Sequence, residues 1–211
     1  ALDNASGTAV MLEIADAFSQ MEEKPERSVI FLAVTAEEQG LLGSAYYADN
    51  PIYPLNKTVA NINMDGIWFL GPMKDLTIVG YGQSELDEYA QAAAEAQGRY
   101  IIPDPQPEKG YFFRSDHFNF ARVGVPALYA SGESEQAEKG KEWTKEQNTT
   151  WTQQHYHQPS DEYIPGEWNF EGMVNDAELL FTIGKRLANE ETFPEWKEGS
   201  EFKATRDSYM D

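Results

Sequence analysis

The sequence predicts an α/β sandwich, and three observations lead to that class. Helical and strand-like patterns alternate along the chain with no internal repeat and no dividing linker. The run Val29-Ile30-Phe31-Leu32-Ala33-Val34 has no polar interruption, as in a strand buried on both faces. Acidic residues close two of the strand-like stretches, Glu37-Glu38 after the first and Asp65 after Val59 to Met64, which is where open α/β sheets present their ligands.

Taken in order, Thr8 to Met21 places Val10, Leu12, Ile14, Ala15, Phe18 and Met21 on a helical face. Asp3, Asn4 and Ser6 just before it are N-cap residue types, and an aspartate held there can also offer both oxygens to a cation. Pro25 marks a turn into the strand Ser28 to Thr35, and Leu41 to Asp49 reads as a short helix ended by Asn50-Pro51. Val59 to Asp65 alternates as a strand, and Leu76 to Val79 is another. Ser84 to Gln97 is a helix with Leu86, Tyr89, Ala90, Ala93 and Ala94 inward and Gly98 as its stop. Ile101-Ile102 runs into a proline-rich extended loop, and Val125 to Ala130 is a further strand. The polar stretch Glu133 to Gln154 reads as a long surface loop or lid. Trp168 to Ala188 is the last helix, with Phe170, Met173, Val174, Ala177, Leu180, Phe181, Ile183 and Leu187 on its apolar face. One domain over residues 1–189 and a charged, aromatic tail over 190–211 is the expected organisation.

Composition bounds the function. Sixteen Lys and Arg against 36 Asp and Glu give a net charge of -20, which opposes nucleic acid and anionic membranes by repulsion. There is no cysteine, hence no disulfide, thiolate nucleophile or thiolate metal site, and a metal must be held by His, Asp and Glu. No apolar run approaches the roughly 20 residues of a membrane span. Asp3, Glu38 and Asp65, with an imidazole from His155 or His157, supply the oxygen and nitrogen donors that zinc accepts. Neighbouring Glu37 and Glu38 can take different tasks, one holding a metal and the other moving a proton. A solvated Glu-Glu pair opening a helix is the plainer reading of that dipeptide.

Five segments then carry a resemblance: Asp3-Asn4-Ala5-Ser6-Gly7, Ala36-Glu37-Glu38-Gln39-Gly40-Leu41-Leu42-Gly43-Ser44, Asn61-Ile62-Asn63-Met64-Asp65, Ser115-Asp116-His117-Phe118 and Tyr156-His157-Gln158-Pro159-Ser160-Asp161. In this order they resemble the motif series of the two-zinc aminopeptidase family, which includes bacterial leucyl-type aminopeptidases, glutamate carboxypeptidase and glutaminyl cyclases. The resemblance implies a three-layer sandwich with a mixed, mostly parallel sheet. It implies two zinc ions, with Asp3 bridging them, Glu38 and His157 on one and Asp65 on the other. It makes Glu37 the general base toward a metal-bridging water, and Tyr156 a candidate hydrogen-bond donor to the oxyanion. Asp116 and His117 become groups on the substrate side or behind the ligands, and Tyr111, with Phe112 and Phe113, a candidate pocket wall.

The expectation is therefore a zinc-dependent exopeptidase, first of all an aminopeptidase acting on peptides with a free N-terminus, secreted or periplasmic in its intact form. The alternatives are a dipeptidase or carboxypeptidase, a glutaminyl cyclase, or a non-catalytic domain of the same fold. The family pattern has a further His ligand upstream of the bridging Asp, on a strand outside this sequence. A fragment of a longer precursor, with an exposed sheet edge, is the corresponding expectation.

Overall fold

A computed structural model describes residues 1–210. Four strands, β1 (Asn61–Asn63), β2 (Asp75–Val79), β3 (Tyr100–Pro103) and β4 (Ala127–Ser131), form one sheet in the order β1-β4-β2-β3. β4 runs parallel to β1, with Ile62 opposite Leu128, and antiparallel to β2, with Ile78 opposite Ala130. β2 and β3 are parallel. The sheet is mixed, flanked by helices, as expected.

Alternation along the strands decides what each face receives. Leu128 and Ala130 of β4, with Leu76 and Ile78 of β2, pack into the larger core. There they meet Val10, Ile14 and Phe18 of α1 (Gly7–Ser19), Leu86, Ala90 and Ala94 of α3 (Leu86–Ala96), and Leu179, Leu180 and Ile183 of α6 (Glu171–Leu187). Ala127 points the other way, into a smaller cluster with Ala121 of α4 (His117–Arg122). On that side Tyr47 of α2 (Leu42–Asp49) stacks at a tilt on Phe120, ring centroids 5.6 Å apart.

Several expected features differ. Residues 28–34 pair with no strand among the described residues, and Val29, Ile30 and Phe31 are 36, 43 and 38% exposed instead of buried on both faces. An apolar run becomes a strand only where a neighbour supplies the ladder, and β1 spends its described pairing on β4. Leu12 of α1 is exposed because the buried stripe Val10, Ile14, Phe18 recurs every fourth residue and Leu12 falls between its members. Val174 is likewise exposed, a quarter-turn from buried Met173, and Phe170 ends outside the helix. The segment read as a loop or lid contains α5 (Gly140–Gln154). This helix is polar nearly all round and is held by side chains that include Thr144, Asn148 and Trp151. Buried Thr144 accepts the Gln136 amide at 2.8 Å, and Trp151 packs edge-on against Trp68 with centroids 5.5 Å apart.

The segment after Asn189 lies on the smaller core. Trp196 and Phe202 are buried there, the Trp196 indole donating to the Gly124 carbonyl at 2.8 Å. Arg206 of α7 (Lys203–Met210) donates to the carbonyls of Leu55 and Thr58, both at 3.0 Å. Among the described residues no helix is long and apolar enough to cross a membrane. Trp196→Ala is expected to cost about 3–5 kcal/mol in urea denaturation, the loss typical of a buried aromatic. A cost below about 0.5 kcal/mol, as at a surface site, would show that the tail does not hold the domain.

Candidate functional site

Two loops meet beside the C-terminal end of β1. In the segment before α1, the Asn4 side chain accepts the amides of Gly7 and Gly66 at 3.0 and 3.1 Å and donates to the Met64 carbonyl at 3.0 Å. Ser6 Oγ takes the Ile67 amide at 3.0 Å. A Cβ on Gly7 would run into the Met64 carbonyl, so this approach of α1 to the loop after β1 requires glycine. The Asp3-Asn4-Ala5-Ser6-Gly7 motif is thus a fastening that sets Asp3 beside Asp65.

Glu37 and Glu38 sit in a single 3₁₀ turn, Glu37–Gln39. The chain enters it through a left-handed Ala36 (φ 57°) and leaves through a left-handed Leu41 (φ 59°), conformations that non-glycine residues adopt at a cost. The turn is closed by Leu41 N–H to Glu37 O at 2.8 Å and by Gly43 N–H to Thr35 O at 2.9 Å. The two carboxylates therefore project from a sharp reversal, not from a strand end.

His157 is the third left-handed residue, φ 57°, with its ring stacked on Tyr156 at 3.8 Å between centroids. Its Nε2 lies 3.2 Å from Glu38 Oε2 and 3.4 Å from Asp3 Oδ2. One ligand atom from each of Asp3, Glu38 and His157 falls within 4.8 Å of the others. Two carboxylates and an imidazole, open to solvent on one side, match the three protein ligands and free position of a catalytic zinc site. His155 does not join them; its Nδ1 faces the Ser160 carbonyl at 2.9 Å.

Glu37 stands beside this triad. Burial, then the charges of Asp65, Asp116, Glu38 and Asp3, pushes its carboxyl up to about 7, where it can both accept and release a proton near neutral pH. Burial followed by Glu38 raises Asp3. Asp65 is also raised by burial, partly offset by the Ser115 hydroxyl donating at 2.6 Å. It lies next to the triad but outside it. Among the described residues, a second cation would find the carboxylates of Asp3 and Asp65 and no imidazole of its own.

The flanking residues fall into several settings. Asp116 accepts the Ser44 hydroxyl at 2.5 Å, and Asn119 donates to Ser44 Oγ at 2.9 Å, so these residues tie α2 to α4 behind the Glu37-Glu38 turn. His117 does not face substrate. It is fully buried between Phe112 (centroids 4.8 Å apart) and Tyr129 (5.1 Å), and neither ring nitrogen has a hydrogen-bond partner. Burial holds its imidazole down at about 3. Tyr111 lies under the cations of Lys109 and Arg114, each 5.8 Å from its ring. Phe112 packs in the smaller core and Phe113 is exposed. Tyr156 is half-exposed, its hydroxyl proton held more firmly by burial and by Asp3 and Glu38. The sequence offers Asn4 and Ser6 only as N-cap types and assigns no role to Ser44 or Ser115, although each stands inside a quoted motif; short polar residues beside a ligand are the available signal.

Comparison with known proteins gives a consistent result. The model of Peptidase family M28 matches residues 1–182. A "Probable glutamate carboxypeptidase" of Arthroderma benhamiae is 27% identical over 209 residues, 91% of this chain and 27% of that protein. "Aminopeptidase YwaD" of Bacillus subtilis is 29% identical over 143 residues, 64% of this chain and 30% of that protein. The chain thus spans well under half the length of these relatives. Among solved structures, LapA of Legionella pneumophila superposes with a TM-score of 0.66 at 18% identity, over 89% of this chain and 48% of that one, a likeness of fold.

The buried His117 sets an acid sensitivity. Its folded-state value of about 3 lies below the ordinary 6.5, so below about pH 6.5 the unfolded chain takes up a proton that the folded chain refuses. Stability therefore falls by about 1.4 kcal/mol per pH unit through this group, and the fall ends near its folded value. The nearby carboxylates raised by burial act with the opposite sign. Comparing wild type with His117→Phe isolates the histidine. In metal-free protein between about pH 6 and about pH 4, denaturation should show the variant losing about 1.4 kcal/mol per unit less than wild type; equal slopes would mean that His117 protonates in the folded state.

Proposed function

Because the chain belongs to peptidase family M28, we propose that it carries the centre of a zinc-dependent exopeptidase, acting first of all as an aminopeptidase on peptides with a free N-terminus. The single observation that carries this reading is the convergence of Asp3, Glu38 and His157 within 4.8 Å, with an unligated carboxyl, Glu37, beside them. Asp3, Glu38 and His157 hold one ion, and Asp3 and Asp65 are the residues of this chain available to a second. Zinc, when bound, supplies Lewis acidity toward water and toward the scissile carbonyl.

The remaining work falls to the chain's own groups. Glu37 takes a proton from the attacking water on its carboxylate and gives it to the departing amine nitrogen. A carboxyl that stands beside the triad without belonging to it suits both halves of that transfer, since its oxygens are not taken up as ligands. Tyr156 offers its hydroxyl to the oxygen that becomes negative as the carbonyl is attacked, a role supported by its stacking on His157 and its half-exposed ring. The acidic surround, net charge -20, favours a cationic amine over a carboxylate at the mouth of the site.

A carboxypeptidase reading stands second, favoured by the similarity over 91% of the chain to a protein named a probable glutamate carboxypeptidase. Peptides acetylated at one end or amidated at the other separate the two, since each blocks one reading alone. Export, secreted or periplasmic, belongs to the same proposal and rests on the resemblance to exported aminopeptidases.

Glu37→Gln is expected to lower turnover of an aminoacyl anilide by roughly a hundred- to ten-thousand-fold, the usual contribution of a proton-transfer group, with bound zinc unchanged. Zinc content by elemental analysis and anilide hydrolysis on the same preparations check it. Turnover that survives the substitution removes Glu37 from the chemistry, and protein that binds no zinc removes the centre.

A further inference from the structure

The two ligands Asp3 and His157 lie far apart in sequence, and one residue ties the Asp3 segment to the turn that carries His157. The Asp161 carboxylate accepts the Leu2 amide on Oδ1 at 2.8 Å and the Asp3 amide on Oδ2 at 3.0 Å. The Asp161 side chain is 8% exposed. Its backbone N–H donates to the Gln158 carbonyl at 3.0 Å, and the Gln158 N–H donates to the His155 carbonyl at 2.9 Å. Asp161 is therefore the foot of the same short turn that holds His157 in its left-handed conformation. Both of its oxygens already receive amide protons, so it acts through other residues and not as a ligand.

We propose that Asp161 is a positioning residue for the metal centre, a two-pronged acceptor that sets the Asp3 backbone against the His157 turn before any cation arrives. The inference rests on the metal-site reading given above. The clamp supplies two main-chain-to-side-chain hydrogen bonds between these two ligand-bearing segments, and without it the left-handed turn loses a fixed end. A flexible half of a ligand set lowers affinity because ordering it must then be driven by the ion.

Zinc affinity of the metal-free protein, read by competition with a chromophoric chelator, tests this on wild type, Asp161→Asn, Asp161→Glu and Asp176→Asn. The last breaks the buried ion pair between Arg99 and Asp176, 2.7 Å, and serves as a destabilised control away from the triad. Asp161→Asn turns an amide group toward donors that need an acceptor; Asp161→Glu keeps the charge and shifts the oxygens by a methylene. Both Asp161 variants should bind zinc about 10–100-fold more weakly, the range for residues that orient ligands from behind, while Asp176→Asn stays within about twofold of wild type. Should Asp161→Asn fail to fold, Asp161→Glu decides alone. Wild-type affinity in Asp161→Glu overturns the inference, because a role through charge alone predicts that result. An equal loss in Asp176→Asn overturns it too, by tracing the effect to stability. Wild-type protein that binds no zinc instead overturns the metal-site reading itself, so the two failures are distinguishable.

Discussion

Like-charge repulsion at one end of the sheet is the constraint on which the site depends. After burial, the charges of Asp65, Asp116, Glu38 and Asp3 raise the proton affinity of Glu37, and in the polypeptide alone His157 is the imidazole set among them. Carboxylates left to themselves at a surface separate into water, since an exposed pair gains little by proximity and loses by repulsion. Here the backbone prevents that separation. Such a cluster is costly in an empty chain and favourable around a cation, which is the physical sense in which the arrangement fits a metal.

The means of holding it are hydrogen bonds from short side chains to main-chain groups. Asn4 and Ser6 fasten the Asp3 segment to the loop after β1. Ser44, Asp116 and Asn119 fasten the Glu37-Glu38 turn to α4. Asp161 fastens the Asp3 segment to the His157 turn. Each fastening spans a large separation in sequence, so each depends on the sheet and its helices being already in place. The left-handed backbones of Ala36, Leu41 and His157 belong to the same account, because such conformations persist where the surroundings fix them.

The larger core supplies that support unevenly. Around β2 and β4 the packing is closed, with Leu76, Leu128 and Leu179 almost wholly buried. Toward β1 it thins: the strand has three residues, and the apolar segment beside the Glu37-Glu38 turn keeps Val29, Ile30 and Phe31 partly in water. The part of the fold nearest the ligands is thus the part with the fewest ladder hydrogen bonds, which is why the site leans on side-chain fastenings more than on the sheet.

The sequence by itself determined many of the local elements and the residue types that could hold a metal. Period-four apolar residues set α3, where Leu86, Tyr89, Ala90, Ala93 and Ala94 are all buried, and residue chemistry narrowed any metal to Asp, Glu and His. Local pattern failed where a neighbour decides the outcome. The run Val29 to Val34 looks like a buried strand but has no described partner, and the polar stretch containing α5 looks like a loop but is pinned by Thr144 and Trp151. The motif match already favours His157 over His155, whereas the burial of His117 and the place of Asp161 were decided only in three dimensions. Each is a matter of which groups a side chain meets across a long stretch of chain, rings for His117 and main-chain amides for Asp161, and periodicity along a sequence carries no such information.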